Sequence, residues 1–528
     1  MTYLPNYLTI HFLFFFLTGL VFPAFSWGIS SVNVPLDSWV YDTLDRLEGY
    51  GLIESALSGT KPYSRLEAAR LAAEAQRKWE ERQRQKEFEG FVEKELIPSL
   101  LGRLKKEFKV ELVELRFEEG SRAPTYLKPV DEVILKYVFQ TDNALYRPQT
   151  GNPPQHTVYP VFNNDGIAYQ KHHNFSAELQ GEGRLWNHIS LYYRPIFKAF
   201  EGEKAKLDLE KGYLKVEAAR IELEAGRDSL WWGPGYHGAL LMTNNARPFD
   251  LIKLSNDRPY LLPLLGPFKF NLFLSRLDYE EPSIPKPLLY GLRLNIKPHP
   301  IIEFGISHIV VFEGEGRGDL SFGDYLNILY SNKNQTGKLE SNQQVAIDLV
   351  LRWPNLDKIL PLARSLKVYG EYGAEDTGFL PDRRAYLLGL FFGDFLLTGR
   401  IDLRLEYANT SPRDVPTAWY THNEYPPLYH DRIFGHHVGS NGEDYFARMT
   451  AYFSPKLLLG VDFDYEIHGT GQAVKTYTYQ GGVDLEYSFN DRMRLKGRYI
   501  MEFLKDPDSI AGGDSTHHLF GLEFRHSF

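Results

Sequence analysis

The sequence contains no cysteine, and outside one stretch near its start it has no long hydrophobic run. Without cysteine there is no disulfide to staple an exported fold and no thiol to carry a lipid anchor. Charged residues make up 24% of the chain, a load that transmembrane helices would not carry. An excess of positive charge is also missing. The formal net charge of −9 over 528 residues argues against nucleic acid or anionic lipid as the main partner. No G-x-S-x-G elbow, Walker loop or zinc-protease helix is present, and no enzyme or cofactor is expected. What the chain does have is aromatic residues: 14% of the total, including 33 Tyr and 35 Phe.

The single apolar run, TIHFLFFFLTGLVFPAF, is followed by small residues at the two positions a signal peptidase reads, Ala24 and Ser26. Residues 1–26 are therefore expected to be a cleaved export signal. Residues 27–106 then read as a small helical region. Leu36, Trp39, Val40, Leu44 and Leu47 recur every three or four residues, one face of a helix ended by Gly49 and Gly51. Ser64 and Glu67 form a capping box that opens a second helix through Leu71, Ala72, Ala75 and Trp79. A third amphipathic segment, 88–108, is expected to be broken at Pro98. The W-x-Y pair Trp39 and Tyr41, the Gly-Leu-Ile turn and the S-R-x-E-A-A helix start resemble an S-layer-homology repeat. Such repeats bind cell-wall polymers when they occur in threes. With one copy here, a periplasmic helical bundle is the reading adopted.

From about residue 107 the period changes from 3.6 to 2. In VDFDYEI, Val461, Phe463, Tyr465 and Ile467 alternate with Asp462, Asp464 and Glu466, and IDLRLEY at 401–407 does the same. One face is apolar and the other charged. The segment HHLFGLEFRHSF places Phe520, Leu522, Phe524 and Phe528 on one side of a strand. An alternating aromatic strand of this kind resembles the recognition signal of bacterial outer-membrane barrels. In lipid every backbone polar group needs an internal partner, so a spanning sheet must close. Residues 107–528 are thus expected to form an all-β transmembrane barrel, apolar outside and charged inside, its aromatics in interfacial girdles. At roughly 20–26 residues per strand and connection, the segment holds about 18 antiparallel strands. The protein would sit in a Gram-negative outer membrane, with outer-membrane lipid around it.

One segment departs from alternation: GRDSLWWGPGYHGALLMTNNARPFD. Trp231 and Trp232 could belong to an aromatic girdle. They could also stack on the C–H face of a sugar ring, with Tyr236, His237, Asn244 and Asn245 offering polar groups to hydroxyls and Arg247 gripping an acidic substituent. Gly233-Pro234-Gly235 sets the bend. The segment from Gly226 to Pro248 resembles the hallmark of the Wzi family of outer-membrane capsule-assembly proteins. A late region, with EYANTS at 406–411, WYTHNEY at 419–425 and HDRIFGHHVG through Asp444, is similar to that family's late loop. The resemblance implies a barrel of 18 strands, closed below by helices and above by folded loops. It also implies a non-enzymatic, lectin-like role in holding exported capsular or extracellular polysaccharide, with the export machinery as a further partner. Trp419, Tyr420, His422, His436 and Asp444 join the polysaccharide-binding candidates through it. A porin or substrate channel is the alternative. No metal site is expected, because the adjacent pairs His172-His173, His436-His437 and His517-His518 would point to opposite faces of a strand.

Overall fold

The two-residue period runs through 18 antiparallel strands that close on themselves. The computed structural model describes residues 28–528, apart from 86–89, 144, 148–155, 159, 279–283, 331–335, 376–382, 412–418, 423, 471–473 and 508–511. The expected export signal lies outside the described residues. The barrel begins at Tyr126–Gln140 and ends at Ser515–Ser527, and these two strands pair with each other, Ile134 opposite Arg525 and Leu135 opposite Phe524. That pairing leaves the wall without a free edge. Short turns such as 219–220 and 300–301 join strands at one end, and long loops such as 229–248, 313–340 and 410–441 at the other. This asymmetry marks the turn end as periplasmic and the loop end as extracellular.

The faces divide as alternation requires. Val461 and Phe463 are exposed outward, while Asp462, Asp464 and Glu466 are buried in the lumen. Tyr407, Tyr445, Tyr465, Tyr479 and Phe503 form a continuous aromatic ladder on the outside of five adjacent strands, with ring centroids 4.8–6.2 Å apart. This is the girdle, and Trp231 and Trp232 are not in it. Lumen charges pair between strands one or two places apart in the wall. Arg293 grips Asp348 in bidentate fashion at 2.7 and 3.1 Å. Arg448 joins Asp462 and Asp484, each at 2.8 Å.

The helical region fills the periplasmic end. Helix α1 is Val40–Gly49. Helix α2 is Arg65–Gln83, with the Ser64 side chain accepting from the backbone N–H of Glu67 at 3.0 Å. Helix α3 is Ile97–Glu107 and α4 is Lys109–Glu114. Pro98 starts α3 instead of breaking it. It occupies the first turn, where its missing N–H leaves no bond unmade, after a π-helical turn at Val92–Leu96. Strand alternation therefore starts later than 107. The stretch 109–114 coils into α4, which buries Leu112 and Val113, and the wall begins at Tyr126.

Ion pairs hold this region to the wall. Arg46 meets Asp402 at 2.9 Å, and Glu48 meets Lys297 at 2.7 Å. Asp37 meets Arg194 at 3.0 Å and Arg525 at 2.7 Å. Asp45 bridges Arg404, at 2.8 Å, and Lys367. Burial alone would raise the Asp45 carboxyl, but Lys367 and Arg404 outweigh it and hold it well below the usual carboxylate range.

Candidate functional site

Trp231 and Trp232 leave the wall after strand Ile221–Asp228 and turn into the lumen. They form a two-residue strand that pairs with Thr60–Lys61 of the helical region, Thr60 opposite Trp232 and Lys61 opposite Trp231. The Gly233 N–H continues the ladder to the Gly59 carbonyl at 2.9 Å. Gly233 has φ +131°, a conformation that favours glycine, and it sits directly against the Glu371 carboxylate.

Wall carboxylates then receive the loop's backbone. Glu406 accepts from the N–H groups of Tyr236 and His237 at 2.6 and 2.8 Å, and Glu371 from that of Leu240 at 2.9 Å. A loop with almost no ladder of its own thereby satisfies its buried donors.

Loops 229–248 and 410–441 share one apolar core in the outer lumen. Trp232, Leu240, Leu241 and Met242 pack with Trp419, Tyr425 and Phe434, and with wall residues Phe273, Leu289 and Ile309. Trp419 is fully buried over Gly373, where a Cβ would come within 2.5 Å of the indole. The Tyr420 hydroxyl donates to the Leu240 carbonyl and accepts from the His436 N–H. Asn245 donates to the Ile433 carbonyl at 2.8 Å, and Asn244 to the Asn163 carbonyl at 3.0 Å. These contacts lock three loops together. His422 accepts at Nδ1 from the N–H groups of Glu424 and Tyr425, at 3.2 and 3.0 Å. Burial, reinforced by Arg383 and Arg317, lowers its imidazole to about 4.

The structure thus sorts the sequence candidates into groups. Trp232, Trp419, Tyr420, Asn245 and His422 build the outer plug. Trp231, Tyr236 and Asn244 line a cavity of about 580 Å³ between the plug and the helical region. Tyr236 lies under the Arg404 guanidinium, 4.2 Å from its ring centroid. His237, His436 and Asp444 are buried together, with Asp444 in the wall strand Gly442–Ser454. Arg247 is half-buried and, among the described residues, makes no hydrogen bond or ion pair.

The sequence reading missed Phe162 and Asn163, which reach the same site from a third loop, and His437 and Asp464 beside His237. The Asn163-Asn164-Asp165 run was the available signal for the third loop, since it repeats the paired amides of 244–245. The adjacency argument against His436-His437 also fails. The pair sits in a turn between strands Arg432–Ile433 and Gly442–Ser454, and its rings stack 4.5 Å apart.

A barrel plugged at both ends, with its loops tied down through Gly-Pro-Gly and paired asparagines, can be compared with known proteins. Residues 151–519 match the capsule assembly protein Wzi family. The chain belongs to that family. The fold agrees with the solved structure of Escherichia coli Wzi, described as an outer-membrane protein involved in group 1 capsule assembly and a carbohydrate-binding β-barrel. The two are 16% identical with a TM-score of 0.67, over 94% of this chain and 100% of that one. An uncharacterised 55.8 kDa protein from the cps region of Klebsiella pneumoniae is 24% identical over 251 residues. That match spans 45% of this chain and 44% of the Klebsiella protein. Like its family, this Wzi-type chain is an outer-membrane barrel.

Proposed function

We propose that this protein binds exported capsular or extracellular polysaccharide at the outer face of its plug and retains it at the cell surface, without catalysis. The observation that carries this reading is Arg247. Lumen guanidiniums such as Arg293, Arg352 and Arg448 are engaged by carboxylates. The Arg247 guanidinium, at the loop end of the barrel, has no partner among the described residues. Its planar fork fits the carboxylate of a uronate or of a pyruvate substituent, so the polymer expected is acidic. The plug residues Trp232, Trp419, Tyr420 and Asn245 hold the loops in the shape that presents this group. Trp231, Tyr236 and Asn244, which line the cavity below, would meet a sugar that enters it. Family membership supports the reading, and the description of E. coli Wzi as carbohydrate-binding agrees with it. The two plugs weigh against the channel alternative.

The test is polymer retention on intact cells. Arg247→Glu is expected to release acidic polysaccharide into the medium while the barrel assembles normally, as judged by heat-modifiable electrophoretic mobility. Retention equal to wild type by both Arg247→Glu and Arg247→Ala would remove the reading.

A further inference from the structure

Four side chains from four different segments converge beneath the outer plug: His237 of loop 229–248, His437 of loop 410–441, Asp444 of strand Gly442–Ser454 and Asp464 of strand Leu457–His468. Each can offer one nitrogen or oxygen so that all four atoms lie within 4.8 Å of one another. His237 Nε2 is 3.2 Å from Asp464 Oδ2 and 3.6 Å from Asp444 Oδ2, and His437 Nε2 is 3.1 Å from Asp444 Oδ2. A tetrahedral ion with bonds of roughly 2.0–2.2 Å has donor–donor edges of about 3.3–3.6 Å, so small movements suffice to close the shell.

Burial makes the arrangement favourable to a cation. The four residues are 6%, 4%, 1% and 2% exposed, in the order named. His437 Nδ1, Asp444 Oδ1 and Asp464 Oδ1 have no hydrogen-bond partner, and His437 Nε2 faces only carboxylate oxygens, Asp444 at 3.1 Å and Glu466 at 3.4 Å. The ion-pair contacts of the two carboxylates, among the described residues, are with histidines alone; no Lys or Arg reaches them. Two carboxylates buried side by side are costly unless something positive lies between them. The imidazoles are also held rigidly. Phe162 stacks on His437 at 3.7 Å and 4°, and Phe446 stacks on His237 at 3.7 Å and 14°. Two neutral imidazoles and two carboxylates balance a divalent first-row ion, the nearby Glu466 being paired with His468 at 2.8 Å, and a four-coordinate shell of this kind suits zinc.

We propose that His237, His437, Asp444 and Asp464 bind a divalent transition-metal ion, zinc by preference, as a structural pin. The four protein donors fill the shell, so the ion would hold shape and not carry out chemistry. It would fasten two outer loops to two adjacent wall strands in a chain that has no cysteine to do so. The site is independent of Arg247 and of the polysaccharide reading.

The experiment uses the whole protein in detergent, stripped with chelator, dialysed against zinc alone and assayed by elemental analysis. Wild type is expected to retain about one zinc per chain after gel filtration. His437→Ala and Asp444→Asn should each lose at least tenfold in zinc affinity, whereas His517→Ala, at a separate histidine–carboxylate contact, should not. Failure of wild type to retain zinc overturns the proposal, as does undiminished uptake by both site variants. X-ray absorption on wild type loaded with zinc gives a check that needs no variant. A shell of four light donors including two imidazoles supports the site, and any other shell overturns it.

Discussion

Thr60 and Trp232 lie opposite each other in a two-stranded antiparallel ladder inside the lumen. One comes from the periplasmic helical region and the other from an extracellular loop. The two plugs are therefore hydrogen-bonded to each other, and Trp232 takes part in both the ladder and the outer apolar core. Trp232→Ala should remove contacts with Phe273 and the surrounding core, at a cost of roughly 3–5 kcal/mol. The expected result is rapid proteolysis of loops 229–248 and 410–441 in intact barrels. Protection equal to wild type would show that the indole is not the keystone of the plug.

Ion permeation distinguishes a plugged barrel from a porin. Wild type in planar bilayers should show no large, steady current. Asp45→Ala leaves Arg404 and Lys367 buried without this partner, a loss of about 3–5 kcal/mol for a broken buried pair. Combined with Asp37→Ala, which cuts the helical region's link to Arg194 and Arg525 while these keep Glu178 and Glu523 on the wall, it should loosen the helical plug and produce current. A large current through wild type would restore the channel alternative.

Acid should loosen the outer loops through His422. Its folded imidazole sits at about 4, while an unfolded one titrates near 6.5. Because the folded value is depressed, the stabilisation from neutral His422 is complete above about pH 6.5 and is lost as pH falls towards 4. Protonation also removes the Nδ1 lone pair that accepts from Glu424 and Tyr425. Proteolysis of the 410–441 loop should accelerate over that window, and His422→Asn should flatten the dependence. An identical pH profile in the variant would discount His422 as the cause.

Gly373 leaves room for Trp419, and Gly373→Val should displace that indole. Loop packing should weaken while the wall, whose ladder does not depend on the indole, keeps its mobility on gels. Near-ultraviolet circular dichroism reports the displaced tryptophan; an unchanged spectrum would contradict the packing described.

Much of the wall was legible because strand alternation is local. The side chains at 461–467 state by themselves which face is wet, and the strand count follows from spacing. Ser64 announced its helix because a cap is also local. The interior was harder to read. Along strand Leu288–His299 the lumen face carries Leu289 at its outer end and Arg293 and Lys297 lower down. That gradient makes sense only once apolar loops are known to fold in from above and charged helices from below. The same reason hid His437 and Asp464, which are 27 residues apart in the chain and come together only through two folded segments. Trp231 and Trp232 were recognisable as special, but nothing in their spacing showed that they turn inward to pair with residues 60 and 61.

The seam between Tyr126–Gln140 and Ser515–Ser527 has a consequence for biogenesis. It joins the earliest strand to the latest, so the cylinder stays open until the eighteenth strand arrives. The helices α1–α4 that occupy its interior precede every wall strand in the chain and are held by contacts from around the wall. The cork is thus translated before the bottle that holds it, and its ion-pair partners reach their places only when the last strand closes the seam.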